Sequence, residues 1–263
     1  MRILIVNDDG INAPGLAVAE EIAAEVAGPT GEVWVVAPET ERSGASHCIS
    51  YVEPMRVTQL GERRFHVSGN PADCAIAGLS HLMPEAPDLV ISGVNRGHNI
   101  AEDAVYSGTV AGAKEAAMQG VKAVAFSQYY SAEPEAPEDA FAPSRALGAE
   151  TVRRLLAMPW RSDLFYNVNF PARRPEAVEG FAVAPQGRRI GGAFRIEAAR
   201  SPTHRDYLWL AHAGGNKRAA PGSDATLCAD GWITLTPMRP DLTDEAMMEE
   251  ARAALAAGAE AAQ

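Results

Sequence analysis

The chain has 263 residues, with 23 Lys and Arg against 34 Asp and Glu, and so a formal net charge of −11. Its 47% hydrophobic content suits one large core, or one domain with an appendage, and lies far from the composition of disordered chains. The acid excess excludes a general nucleic-acid or duplex binder, which needs a basic surface to displace phosphate counterions. Any phosphorylated partner must therefore be held by local chemistry. Cys48, Cys74 and Cys228 are odd in number and far apart, which leaves no complete disulfide framework and no paired zinc spacing. No apolar run approaches the ~20 residues of a membrane span, and the opening residues reach Asp8 and Asp9 too early for a signal peptide. A cytoplasmic protein with no membrane partner is the expectation.

Ile3-Leu4-Ile5-Val6 is a continuous apolar run, the pattern of a strand buried on both faces of a parallel sheet. The turn Asn7-Asp8-Asp9-Gly10 follows, and Pro14 stands where a helix begins. Leu16, Val18, Ile22, Ala23 and Val26 form its apolar stripe, closed by Gly28-Pro29. Val33 to Ala37 is the second strand, giving a right-handed parallel crossover. Ile49 to Val67 alternates apolar and polar residues and predicts one or two antiparallel strands. Pro71 to Met83 reads as a helix, Asp88 to Gly93 as a buried strand followed at once by a polar loop. Gly108 to Gln119 is a helix of small residues, and Ala123 to Phe126 the next strand. Ser131 to Pro143, dense in Ala, Pro and Glu, predicts an exposed loop. A helix over Ala146–Leu156 and a strand over Leu164–Phe170 complete the alternation.

Past residue 180 the rhythm changes. Asp206 to Leu210 resembles one arm of a hairpin, Trp232 to Thr236 is a strand ending at Pro237, and Glu245 to Ala262 is a terminal helix. The reading is thus one α/β unit over 1–263. It has a three-layer, Rossmann-like, mostly parallel sheet with helices on both faces over about 1–180. A C-terminal hairpin arm and terminal helix occupy about 181–263 and are too small to fold alone, so they should pack on the core or on another subunit.

In an open parallel sheet, ligands gather outside the carboxyl ends of the strands. Three oxygen-rich clusters fall there: Asp8-Asp9 after the first strand, Arg42-Ser43-Gly44-Ala45-Ser46 after the second, and Asn95 after Asp88–Ile91. Adjacent carboxylates repel, and a divalent cation is the most direct compensation. Carboxylate, hydroxyl and amide oxygens are hard ligands suited to Mg²⁺, Mn²⁺ or Ca²⁺. Taken alone, Asp-Asp-Gly would more simply cap a helix or close an Asx turn; the companion clusters argue for the cation. Tyr106-Ser107-Gly108-Thr109-Val110 enters a helix, where N–H groups and the Ser107 and Thr109 hydroxyls make an anion seat, although an ordinary cap has the same residues. Gly69 to Cys74 is equally a plain helix start or a substrate contact. Cys74 reads as a buried small residue. The 6 histidines lack metal spacing, and His47 and His98 are expected in solvent-exposed loops.

In combination these segments resemble the SurE family of survival-protein nucleotidases. The resemblance is carried by Asn7 to Gly15, Ala37-Pro38 with Arg42 to Ser46, and Ser92 to Asn99 with Asp103 and Tyr106 to Val110. It continues in Asn167-Val168-Asn169-Phe170-Pro171 and from Ser223-Asp224 through Gly231 to Pro237, so it spans nearly the whole chain. Asn70 stands where the family usually has Thr, Ala101 where Gly is usual, and Trp232 where Tyr is common. The resemblance implies a divalent-metal-dependent phosphatase of nucleoside monophosphates, a 5′-nucleotidase, with one Mg²⁺ or Mn²⁺ per subunit and Ca²⁺ as an alternative bound ion. Carried over by residue, the metal ligands are Asp8, Asp9, Ser43 and Asn95. The phosphate contacts are Ser107, Gly108 and Thr109, with Asn99 nearby. It also implies a homodimer or homotetramer formed through an exchanged C-terminal segment. The ligand set suggests in-line attack of a metal-activated water on phosphorus, with Asp8 as base. Two other classes compete. A phospho-receiver switch needs a third Asp and a Lys at a later strand end, whereas Lys122 precedes its strand; a scaffold with a dead site needs a broken ligand set.

Overall fold

The computed structural model describes residues 1–130, 137–189, 194–212 and 219–261. β1 (Arg2–Val6), α1 (Pro14–Ala27) and β2 (Glu32–Pro38) form the first parallel crossover. β3 (Val57–Gly61) and β4 (Arg64–Val67) make an antiparallel pair, and β4 adds in parallel to β2. α2 (Pro71–Ala77) continues into a π-turn, Gly78–Leu82, so the expected helix over 71–83 is present but widens in its second half. β5 (Leu89–Arg96), α3 (Asp103–Tyr106), α4 (Gly108–Met118), β6 (Ala123–Gln128), α5 (Ala142–Leu156) and β7 (Phe165–Phe170) follow. Then come β8 (Gly180–Val183), the hairpin β9 (Phe194–Arg200) and β10 (Asp206–His212), α6 (Asp224–Ala229), β11 (Trp232–Met238) and α7 (Glu245–Ala261).

The main sheet has 9 strands in the order β3-β4-β2-β1-β5-β6-β7-β11-β8. Its centre, from β4 to β7, is parallel; β11 runs antiparallel to β7. Alternation along each strand divides the core into two layers. Ile3, Ile5, Val124, Phe126, Val168 and Phe170 face one way, with Leu16, Ile22, Val152 and Leu155 of α1 and α5. Leu4, Val6, Val90 and Phe165 face the other, with Cys74 and Ala75 of α2 and Ala113 and Ala117 of α4. Each large aliphatic side chain buried this way contributes about 1.5–3 kcal/mol. This is the expected three-layer α/β arrangement.

Three boundaries differ from the sequence expectation. β5 does not end at Gly93 but runs to Arg96, because its register against β6 shifts between Ser92 and Asn95 and pairing resumes. The interval 131–143 is not all loop: 131–136 lie outside the described residues, and α5 already begins at Ala142. The main sheet does not stop near residue 180 either, since β11 inserts between β7 and β8. The arm, by contrast, is a separate two-stranded sheet that leaves Leu208, Trp209 and Leu210 exposed.

α1 crosses the sheet at very close range. A Cβ on Gly15 would lie 1.9 Å from the Val94 carbonyl oxygen, and backbone cannot move aside as a side chain can. Gly15→Ala should therefore cost about 3 kcal/mol of stability, read as a lowered denaturation midpoint. A loss under ~0.5 kcal/mol, the size of an ordinary surface change, would show that α1 has more room here.

Candidate active site at the carboxyl edge of the sheet

β1 is flanked by β2 on one side and β5 on the other, so the chain reverses its winding direction at this strand. Such a switch point opens a crevice at the carboxyl ends. Asp8 and Asp9 follow β1 directly. The turn there is closed by Asn7, whose Nδ2 donates to the Gly10 carbonyl at 2.9 Å, while α1 is N-capped by Ala13 with no side-chain hydrogen bond. Neither aspartate is spent on the helix cap that was the simpler alternative.

Asp8 is buried, 3% exposed. The Thr109 hydroxyl donates to its Oδ1 at 2.5 Å. α4 abuts it so closely that a Cβ on Gly108 would sit 2.8 Å from Asp8 Cβ and 3.0 Å from Oδ2. Burial, and next the neighbouring Asp9 charge, push the Asp8 carboxyl up to about 7, against the opposing pull of Thr109. Asp9 is half-buried and accepts from the Arg96 N–H at 3.1 Å. Burial raises it as well, opposed by the Arg96 N–H and reinforced by the charge of Glu41.

The other expected ligands arrive on segments tied to these two residues. Arg42 N–H donates to the Asp8 carbonyl at 2.7 Å, which brings the 42–46 loop alongside. The Ser43 hydroxyl itself is exposed and donates to Glu41 Oε1 at 2.8 Å. Asn95, at the end of β5, donates its Nδ2 to the Gly97 carbonyl at 2.9 Å, so its amide oxygen is the atom left for a cation. Among the described residues no cluster of three or more His, Cys, Asp or Glu has metal-holding spacing. The donors are thus two carboxylates supplemented by neutral oxygens. That set suits a hard divalent cation. The residues fit the group.

Opposite the aspartates lies the start of α4, where the sequence leads one to expect an anion seat. Ser107 caps α4, its Oγ accepting from the Val110 N–H at 3.0 Å, so its own proton and the N–H groups of Gly108 and Thr109 are not used within the 11-residue helix. The 42–46 loop is fastened to the same place: Ser46 N–H donates to the Tyr106 carbonyl at 3.0 Å and Ser46 Oγ to the Val105 carbonyl at 2.7 Å. Asn99 is buried and donates its Nδ2 to Ser127 Oγ at 2.7 Å. An amide nitrogen carries two protons, so one remains for a ligand.

Elsewhere the plain alternatives hold. Asn70 and Asp73 form a capping box at the start of α2, and burial pushes the Cys74 thiol up, far from a nucleophile's range. His47 and His98 do not sit free in loops as expected. His47 Nε2 lies 2.9 Å from Glu115, and His98 Nδ1 3.1 Å from Asp103, because both carboxylates are buried and need a partner. Sequence reasoning passed over Arg189, which holds Asp103 at 2.6 and 2.9 Å, and Asp224, which accepts from the N–H groups of Ala101, Gly187 and Ala225. Asp224 had a signal, since it belongs to a segment carrying the family resemblance; Arg189 lies in none of those segments.

The family described as Survival protein SurE matches residues 3–192. A 5′-nucleotidase SurE of Ruegeria pomeroyi is 49% identical over 261 residues, covering 97% of this chain and 100% of the relative. Another, of Roseobacter denitrificans, is 52% identical over 253 residues, covering 94% and 97%. Among solved structures, the crystal structure of the SurE protein from Aquifex aeolicus superposes with a TM-score of 0.79 at 31% identity, over 95% of this chain and 98% of that one. By this match over most of its length and by relatives about half identical across nearly the whole chain, this chain belongs to the SurE survival-protein family.

Proposed function

We propose that the chain is a divalent-cation-dependent 5′-nucleotidase, a phosphatase that hydrolyses nucleoside monophosphates to nucleoside and inorganic phosphate. The relatives that match nearly their whole length carry the name 5′-nucleotidase SurE. The observation that carries the reading is the juxtaposition of Asp8 with the start of α4: a paired-carboxylate corner and an anion seat in direct contact. Asp8, Asp9, Ser43 Oγ and Asn95 Oδ1 would hold Mg²⁺ or Mn²⁺, with Ca²⁺ able to bind in its place. When bound, the cation neutralises the carboxylates, polarises a phosphoryl oxygen and lowers the pKa of coordinated water.

The protein's own work is positioning. The Ser107 hydroxyl and the N–H groups at the start of α4 bind non-bridging phosphoryl oxygens, and the second Nδ2 proton of Asn99 adds a donor. Asp8 would take one proton of the attacking water as the phosphorus–ester oxygen bond breaks on the opposite side, the nucleoside oxygen leaving with the bonding electrons and taking its proton from solvent. Thr109 fixes the Asp8 carboxylate through its hydroxyl. The exposed Leu208, Trp209 and Leu210 of the arm support assembly into a homodimer or homotetramer through the C-terminal segment. No helix among the described residues is long and apolar enough to cross a membrane.

The test is phosphate release from a panel of 5′- and 3′-nucleoside monophosphates with Mg²⁺, Mn²⁺ or Ca²⁺, and with chelator. Release from nucleoside monophosphates that stops on chelation and returns with Mg²⁺ or Mn²⁺ is expected. Release indifferent to chelator, or none from any nucleotide, would refute the proposal.

A further inference from the structure

We infer that Asn169, with Asn167 beside it, is a positioning residue for this reaction: it clamps the main chain of Asn99 and so holds the Asn99 amide at the phosphate seat. The inference rests on the phosphatase reading above and adds residues that reading does not use. β7 is a central strand whose six residues are all buried. Such a strand normally carries Val, Ile or Leu on both faces, yet its sequence is Phe-Tyr-Asn-Val-Asn-Phe, with both asparagines fully buried. Burying an amide costs free energy unless its hydrogen bonds are made, so their partners show what they are for.

Both point at one residue. Asn169 Oδ1 accepts from the Asn99 N–H at 2.7 Å, and its Nδ2 donates to the Asn99 carbonyl at 3.3 Å. Asn167 Nδ2 donates to the same carbonyl at 2.7 Å. One side-chain amide thus satisfies both main-chain groups of Asn99, as a neighbouring strand would, in a loop that has no strand beside it. The position matters because of the sheet register. Asn95, Ser127 and Asn169 are successive partners across β5, β6 and β7, and adjacent strands lie about 4.8 Å apart. Asn99 is anchored on two neighbouring members of this row, its main chain over Asn169 and its side chain on the middle residue, Ser127. That sets its amide about one strand spacing from Asn95 of the cation corner. Downstream, Asp224 and Gln186 hold the N–H and carbonyl of Ala101, so the loop cannot recentre by sliding.

The experiment combines Asn169→Ala, Asn169→Asp, Asn99→Ala and the double variant Asn99→Ala/Asn169→Ala, each checked for a native melting transition. Asn169→Asp keeps the shape and one acceptor but turns a second acceptor toward the Asn99 carbonyl, so it serves if the alanine variant does not fold. Nucleotide kcat/KM should fall about 30-fold in either Asn169 variant, the scale of a misplaced contact. The Mn²⁺ dissociation constant should stay within about threefold, since Asp8 and Asp9 are untouched. The double variant should lose no more than the worse single one, which a merely structural role would not produce. Hydrogen exchange in the peptide spanning 97–103 should quicken in the Asn169 variants whether or not nucleotide is hydrolysed. Unchanged exchange, unchanged kcat/KM or additive losses would overturn the clamp. An inactive wild type with quickened exchange would overturn the phosphatase reading while leaving the clamp standing.

Discussion

Replacing Asp8 by Asn should abolish metal-dependent phosphate release, by on the order of 10³-fold or more, while making the metal-free protein more stable above neutral pH. The two effects have one cause. In the metal-free protein Asp8 is raised to about 7 by burial and by Asp9, against an unfolded value near 3.8. A carboxyl whose folded pKa is raised binds its proton more tightly when folded, so stability is highest below the unfolded pKa and falls as pH climbs toward the folded one. The window of loss is therefore about pH 4 to 7, and the cost above it is on the order of 4 kcal/mol at most. Asparagine keeps an acceptor for Thr109 without the charge, so it should recover part of that cost and raise the melting temperature at pH 8 by about 5 °C. Wild type should gain stability on adding Mn²⁺ at the same pH, and Asp8→Asn should gain far less. Thermal melts of both proteins at pH 4, 6 and 8, with and without Mn²⁺, check this together with phosphate release. A variant that keeps turnover, or one that melts lower than wild type at pH 8 without metal, would show that Asp8 is not the stressed group.

Much of this corner was legible in the sequence because its parts are local. An apolar run followed by acids or amides marks a strand end, and β2, β1 and β5 lie side by side. The 42–46 loop, Asp8 with Asp9, and Asn95 thus fall at neighbouring strand ends once the parallel crossovers form. The side-chain directions were not legible: the Ser43 hydroxyl turns to Glu41 and the Asn95 nitrogen to Gly97, choices settled by the nearest acceptor. Nor was the support behind the site. Asn169 reaches Asn99 across 70 residues and Asp224 reaches Ala101 across 123, and no periodicity records a contact of that range. The segments that resemble the family hold these residues, but the resemblance names positions without saying what they touch. His47 and His98 were misplaced for the same reason, since their partners Glu115 and Asp103 were hidden by tertiary burial.

Gly108→Ala removes no functional group, yet it should also be strongly damaging, though less so than the loss of Asp8. The alanine methyl would lie 2.8 Å from both Asp8 Cβ and Pro71 Cγ and 3.0 Å from Asp8 Oδ2. One turn later Gly112 meets the sheet in the same way, with Ser92 Oγ at 2.7 Å and Val6 Cγ2 at 2.8 Å. α4 is therefore pressed against β1 and β5 along the face bearing both glycines, and it cannot tilt to admit a methyl at 108 without lifting its first turn. That turn carries Thr109, whose hydroxyl holds Asp8, and the N–H groups of the anion seat. Raising it by a few tenths of an ångström lengthens the Thr109–Asp8 hydrogen bond and moves the proposed phosphate donors out of line with the proposed cation ligands. The expected cost is about 2 kcal/mol of stability, together with on the order of 10²-fold in kcat/KM from misplaced groups. A matched variant separates packing from positioning. Gly112→Ala should cost similar stability, because it meets comparable neighbours, but less activity, because it lies a turn below the seat. Melting temperature and nucleotide turnover of the two variants decide it. Equal activity losses would mean that overall stability, not the placement of the first turn of α4, sets the rate.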